Sequence, residues 1–420
     1  MSNQLLTISM ITNEALRVLT NQLVFTKAVS RQYDDKFAIE GAKIGTTINL
    51  RKPPRYVGRT GPALQVESSV ETYVPLTLGT QFGVDMAFTT QDLTMNISDF
   101  SDRFIKPAVA AVANKMDYDG LQQFLNVYNL VGTPGVLTNT STPPTLAQAQ
   151  GAVLAARARL NQEAAPVDED RHFVVDPATE IGIVSGLTNL FNPSGTISRI
   201  FQKGAMGDST LGFNFAMDQN VGNYTAGSFI VGTDTLAIAA QAGGSVQTNA
   251  QTAFTMSATI TSTKTLTAGT VFTIPGVYAV NPQNRQSTGV LRNFVITSAV
   301  TGTGSSQNIT VFPNPVFSGQ FQNVTSSTGT IPSANATIIS GSAGASYANS
   351  LAFHKDAFAF GTADLLLPQG VDMAGRAAAD GVSIRLVRQY DINSDQLPCR
   401  LDVLYGWSTI YPELATRVTG

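Results

Sequence analysis

Charge is what this sequence is short of. Asp, Glu, Lys and Arg make up 13% of its 420 residues, against roughly 25% in an ordinary soluble domain. The deficit implies that Ser, Thr, Asn, Gln and Gly cover much of the surface, or that part of it is buried against other chains. Interface cores are depleted in charge because desolvating it is costly. An obligate oligomer fits. The formal net charge of −3 argues against a chain whose main task is gripping a phosphate backbone, which needs concentrated basic surface. A single cysteine, Cys399, makes no intramolecular disulfide and excludes a stapled secreted fold. The first basic residue, Arg17, comes after Glu14, so the start lacks the basic region of a secretory signal. The longest small-apolar stretch, 107–113, is far short of the ~20 residues that span a bilayer. The expectation is a protein made and kept in a cytoplasm, without a membrane partner.

What is present reads as mixed α and β. Leu16, Leu19, Leu23, Ala28 and Val29 predict a helix over 13–37, opened by Asn13 and Glu14. An arm this short must lay its apolar face on the main body or on a neighbour. Residues 46–50 and 70–78 are β-rich, and the second run alternates. Between them KPPRYVGRTGPALQ is too rich in Pro and Gly for a helix. Arg51 stands just before it, Lys52, Arg55 and Arg59 lie within it, and no acid intervenes between Glu40 and Glu67. Ile105, Val109, Val112, Met116, Gly120 and Phe124 make one buried stripe of a long helix within 99–129. Pro107 belongs in its first turn, after a short turn at 99–104. An Ala-rich helix over 146–162, an acidic turn (Asp168, Glu169, Asp170) and a strand over 172–176 follow.

The sharpest internal signal lies at 235–350. These 116 residues hold no Asp or Glu, and their only charges are Lys264, Arg285 and Arg292. Short alternating runs at 254–261, 271–274, 294–300 and 308–312, separated by turn residues, predict an all-β module, a small barrel or sandwich. Mixed charge returns over 351–365. Residues 384–389 and 398–405 read as two strands of a hairpin, and PELATRVT closes the chain.

These pieces, in this order, resemble the major capsid (coat) proteins of tailed bacteriophages, in the branch of short-tailed phage coat proteins with an inserted β-domain. The likeness is carried by ITNEALRVLTNQLVFTKAVSRQYDDKF, INLRKPPRY, IKPAVAAVANKMD, SLAFHKDAFAFGTADLL and DVLYGWSTIYPELATRV. It implies an α+β, Hong Kong 97-like phage major capsid fold. Its parts would be an N-terminal arm (1–40), an extended β-loop (41–88), a peripheral domain with a long spine helix (89–140) and an axial domain (141–234). An inserted all-β, barrel-like domain (235–350) would follow, with a return to axial and peripheral strands (351–420). The resemblance further implies a non-catalytic protein without cofactor or metal. Its partners would be its own copies in pentamers and hexamers, a scaffolding protein, a portal, a decoration protein, and packaged double-stranded DNA by non-specific proximity. Its place would be the virion capsid, and the host cytoplasm before assembly.

Chemistry is hard to find by comparison. His172 near Asp168, Asp170 and Asp176, and His354 beside Lys355 and Asp356, fall short of the converging ligands of a metal site. Asp117 and Asp119 are two apart on a helix and do not face each other. Cys399 reads as a small buried residue. The basic stretch 51–59 has three readings. It is a solvated loop, or Arg51, Lys52, Arg55 and Arg59 meet acids on an adjacent subunit, with Glu163, Asp168, Glu169 and Asp170 as candidates, or it touches DNA. Two rival classes stand beside the coat protein. A β-rich adhesive protein would show a secretion signal and fixed-period repeats, and an enzyme would show a convergent titrating cluster.

Overall fold

Helix α1 (Ile8–Gln22) ends sooner than the apolar spacing predicts, and a second short helix, α2 (Phe25–Ala28), follows before the chain becomes a strand at Ser30–Tyr33. The expected helix over 13–37 is thus corrected to helix, turn, helix, strand. The break is made by Asp117 from a distant helix. Its carboxylate accepts the backbone N–H groups of Val24 at 2.8 Å and Thr26 at 2.9 Å, which caps α2 in place of a local side chain. The computed structural model describes residues 8–33, 47–89, 106–138, 144–187, 211–245, 252–379 and 381–419. The expected turn at 99–104, Ile105 and the arm beyond 33 lie outside these.

Two units contain the chain. The first comprises Met1–Asn49, Pro75–Leu121 and Phe358–Ser408. Its sheet runs in the order Ser30–Tyr33, Phe358–Ala363, Gln396–Thr409, Val382–Arg388 and Met373–Ala379, and Thr80–Thr89 also pairs with Gln396–Thr409. Val382–Arg388 and Gln396–Thr409 are antiparallel neighbours, with Arg385 opposite Asp402 and Arg388 opposite Cys399. Helix α1 packs on Met373–Ala379, Val382–Arg388 and helix α3 (Lys106–Leu121). Pro107 stands in the first turn of α3, where a missing N–H costs nothing. Val109, Val112, Met116 and Gly120 turn one stripe inward. Phe25 lies edge-on to Phe358 at 5.6 Å and beside Trp407 at 5.3 Å. Such pairs add about 0.5–1.5 kcal/mol beyond their burial. Gly120 leaves the room they need.

The second unit comprises Leu50–Val74, Gln122–Ala357 and Thr409–Gly420. One sheet orders Leu130–Gly132, Ala415–Thr419, Ser346–His354, Arg171–Val175 and Asn214–Met217. Helix α4 (Leu146–Gln162) and helix α5 (Pro177–Leu187) pack with it over a core around Val153, Leu160, Phe173, Phe215 and Val418. Helix α4 begins on a capping box, with Thr145 N–H donated to the Gln148 side chain at 2.8 Å and the Thr145 hydroxyl oxygen accepting Gln148 N–H. Helix α5 was not expected. Asp176, read as the last residue of a strand, instead accepts the N–H of Ala178 and Thr179 and starts it. The C-terminal strand carries Arg417, fully buried, which donates to the carbonyls of Val127 (2.6 Å), Gly269 (2.8 Å) and Leu125 (3.2 Å). Burial lowers its guanidinium pKa to about 10.

An eight-stranded sheet within 236–338 has its own core, including Met256, Ile260, Phe272, Phe294 and Ile309. In Phe254–Ile260, Met256, Ala258 and Ile260 point inward, whereas Thr255, Ser257 and Thr259 do not. Met256 lies opposite Ile309 on the antiparallel Ser306–Phe312, the period-two pairing that fixes register. Ala334–Asn335 pairs with Leu236–Ile238, and Thr337–Ile338 with Val271–Val280, so a few residues join the two ends of the sheet. No helix among the described residues is long and apolar enough to cross a membrane.

Candidate functional site

The basic stretch begins at the end of strand Thr47–Lys52 and continues without regular structure until Thr72–Thr77. Its Pro53 and Pro54, and the left-handed Gly58 and Gly61 (φ +76° and +94°), exclude a helix. Arg51 is 82% exposed and stands 3.8 Å from Glu71, a contact worth about 0–1 kcal/mol. Lys52 is different. Its ammonium lies 4.2 Å from the centroid of the Tyr411 ring, and burial holds its pKa below the ordinary value.

Arg55 donates to Glu413 at 3.1 Å. Burial alone would raise the Glu413 carboxyl, but Lys52 and Arg55 outweigh it and hold the group below its usual range. Arg59 turns back on its own loop and donates to the Gly61 carbonyl. The acids named as candidates scatter. Glu163 is 5% exposed and accepts from Arg292 at 2.6 Å. The Arg292 guanidinium also lies over the Tyr128 ring, 4.4 Å from its centroid, and its pKa is raised because Glu163 outweighs burial. Asp168 accepts from His354 Nε2 at 3.1 Å and from the Asp170 N–H. The side chains of Glu169 and Asp170 are exposed. Within one chain, then, Arg55 meets Glu413 and not Glu163 or the acidic turn. A cavity of about 260 Å³ opens among Lys52, Arg55, Tyr128, Glu163, Arg292 and Glu413.

Neither Glu413 nor Arg292 stands out in sequence pattern, yet each left a trace. Glu413 is the one acid after Asp402, and Arg292 is one of three charges in 235–350. The histidines divide their tasks. His354 is bonded to Asp168, and its Nδ1 accepts the Asp356 N–H at 3.3 Å. His172 packs against Phe353 at 5.9 Å, and burial lowers its pKa. Asp176 is taken up by α5 and by Ser350. Cys399 is buried, which raises its thiol pKa to about 11. Among the described residues no three His, Cys, Asp or Glu side chains converge to hold a metal.

The sequence model of one family, "P22 coat protein - gene protein 5", matches residues 1–420. The chain belongs to the P22 coat protein family. It is a tailed-phage major capsid protein, and its role is structural, in the virion capsid. No curated protein matches the coat protein in sequence. Similar solved structures include one titled "Mycobacterium phage Che8", at 12% identity and TM-score 0.46 over 94% of this chain and 90% of that one. The capsid of cyanophage P-SCSP1u aligns at 10% identity and TM-score 0.45 over 94% and 87%. The mature capsid of bacteriophage PhiM1 aligns at 10% identity and TM-score 0.46 over 94% and 86%. The family assignment of the coat protein rests on the full-length sequence match.

Proposed function

We propose that this coat protein assembles with its own copies, as pentamers and hexamers, into an icosahedral shell around double-stranded DNA. A scaffolding protein guides assembly, a portal ring replaces one pentamer, and a decoration protein is a further partner. In this reading the fold is Hong Kong 97-like. Residues 1–40 are the arm, 41–88 the extended loop, 89–140 the peripheral domain built on α3, 141–234 the axial domain, and 351–420 the return to axial-domain and peripheral-domain strands. Residues 235–350 are an inserted domain.

The observation that carries the reading is the loop between Lys52 and Thr72. In a chain of this family it exposes Leu64 and Val66 by 81% and 86%, and a neighbouring copy laid over the loop would remove both from water. Arg51 and Arg59 then meet Glu169 and Asp170 of a neighbouring copy. Lys52 and Arg55 are engaged with Tyr411 and Glu413 of their own chain, and Glu163 and Asp168 with Arg292 and His354. Many weak contacts repeated around rings add up by avidity. Electron microscopy of the expressed protein with its scaffold tests this. Closed shells are expected, and a population of discrete small oligomers would reject it.

A further inference from the structure

The extended loop is gripped at its neck by two charges of opposite sign. Arg285 stands in the turn 281–286 between strands Val271–Val280 and Ser287–Ile296. The turn is bonded to itself. Arg285 N–H donates to the Asn281 carbonyl at 2.9 Å, Asn281 N–H to the Gln286 carbonyl at 3.0 Å, and Gln283 N–H to Asn281 Oδ1 at 2.9 Å. Arg285 has φ +54°, a left-handed conformation uncommon for a residue with a Cβ. From there its guanidinium donates to the carbonyls of Tyr56 at 2.6 Å and Val57 at 3.4 Å.

The opposite edge of the same backbone belongs to Glu67. Its carboxylate accepts the N–H of Val57 at 2.7 Å and of Gly58 at 2.8 Å. Consecutive peptide groups are therefore held on their carbonyl side by a cation and on their amide side by an anion. Charge-assisted bonds of this kind are roughly twice as strong as neutral ones. Beyond the neck lie Arg59, Leu64 and Val66, the exposed part of the loop.

A second observation points the same way. Each of the three charges in 235–350 is bonded to a group outside that segment: Lys264 to Asp234 at 3.2 Å, Arg292 to Glu163, and Arg285 to the loop. The segment uses its charge for attachment.

We propose that the turn 281–286 is a strut that aims the extended loop at a second copy of this chain, with Arg285 and Glu67 as positioning residues. This rests on the shell-forming function proposed above. A loop already ordered loses less conformational freedom on docking, and a fixed direction at the neck gives each contact the same angle. A loose neck lets the tip dock at several angles, and shells of several curvatures follow.

Hydrogen exchange of the full-length chain before assembly tests the clamp, and electron microscopy after assembly tests the aim. In Arg285→Ala and Glu67→Ala the amides of Val57 and Gly58 should exchange at least about tenfold faster, while those of strand Phe254–Ile260 keep their protection. The same variants should give mixed or open shells. Ser318→Ala, an exposed control in the same segment, should leave both readouts unchanged. Unaltered exchange at Val57 and Gly58, or normal shells from both variants, would overturn the proposal alone. A wild-type chain that forms no shells would overturn the shell-forming function, and the aiming role with it.

Discussion

Asp117 holds Thr26 twice, accepting its backbone N–H at 2.9 Å and its hydroxyl at 2.6 Å. The two residues are 91 positions apart, and the contact fixes where the N-terminal helix breaks. One oxygen of Asp117 serves Thr26 and the other serves Val24. Both oxygens are needed as acceptors.

Asp117→Asn turns one acceptor into a donor facing an N–H. It should cost about 1–3 kcal/mol, the penalty of a buried group left without a partner, read as a lower midpoint of urea unfolding. Burial raises the Asp117 pKa above the ordinary carboxylate value, against the bonds from Thr26 and Val24. The folded state thus holds the proton more tightly than the unfolded one. The stability this group contributes is complete below the unfolded pKa and is lost as pH rises through the raised value. Asn should abolish that slope.

Glu413 should show the opposite sign. Burial opposes its ionisation, but Lys52 and Arg55 hold its pKa below normal. Its contribution is present above the unfolded pKa and is lost as pH falls through the depressed value. Glu413→Gln should lower stability by about 1–2 kcal/mol at neutral pH, and the difference from wild type should shrink in acid. Urea titrations at several pH values check both carboxylates.

Gly120→Ala should destabilise although Ala favours a helix by about 1 kcal/mol. A Cβ there would stand 2.5 Å from the Trp407 ring and 2.8 Å from Phe25. Both neighbours are rings already packed together. Overpacking costs about 1–3 kcal/mol, so a net loss of roughly 1–2 kcal/mol is expected, measured by thermal unfolding.

Reversing Arg51 and Arg59 to Glu should spare the fold and spoil assembly. Arg51 makes only an exposed contact with Glu71, and Arg59 bonds its own loop, so the stability change should stay within about 0.5 kcal/mol. Light scattering of an assembly reaction should show a slower or absent rise. Arg55→Glu differs, because it also breaks the bond to Glu413 and should unfold earlier.

Local chemistry decides which parts of this fold are legible in its sequence. The start of helix α4 is readable because Thr145 and Gln148 form a capping box, whereas its end is made by Ala164 in a left-handed conformation that no glycine marks. The stripe from Val109 to Phe124 is legible by spacing. The break at Leu23 is not, since Leu16, Leu19 and Leu23 continue a helical pattern and the cap comes from Asp117. Strand Thr80–Thr89 escaped notice although it pairs residue for residue with 396–405. Phe82, Val84, Met86 and Phe88 alternate strictly along it, so the period-two signal of a strand is present in the sequence. Helix α5 had a start signal in Asp176 and Pro177 but no clear apolar face.

The candidate site was half visible for the same reason. Arg51, Lys52, Arg55 and Arg59 announced themselves by clustering. Their real supports, Glu413, Tyr411, Glu67 and Arg285, are single residues brought in by the fold. The lack of charge in 235–350 was the better clue, because a segment with three charges has few to misplace.

On the proposed function, charge-poor faces and an aimed loop are covered by further copies of the same chain. Sedimentation velocity of the purified protein, at high concentration and with the proposed scaffolding protein present, tests it most directly. Very large particles, or monomers that convert to them, are the predicted result. A single compact monomer peak throughout would contradict it.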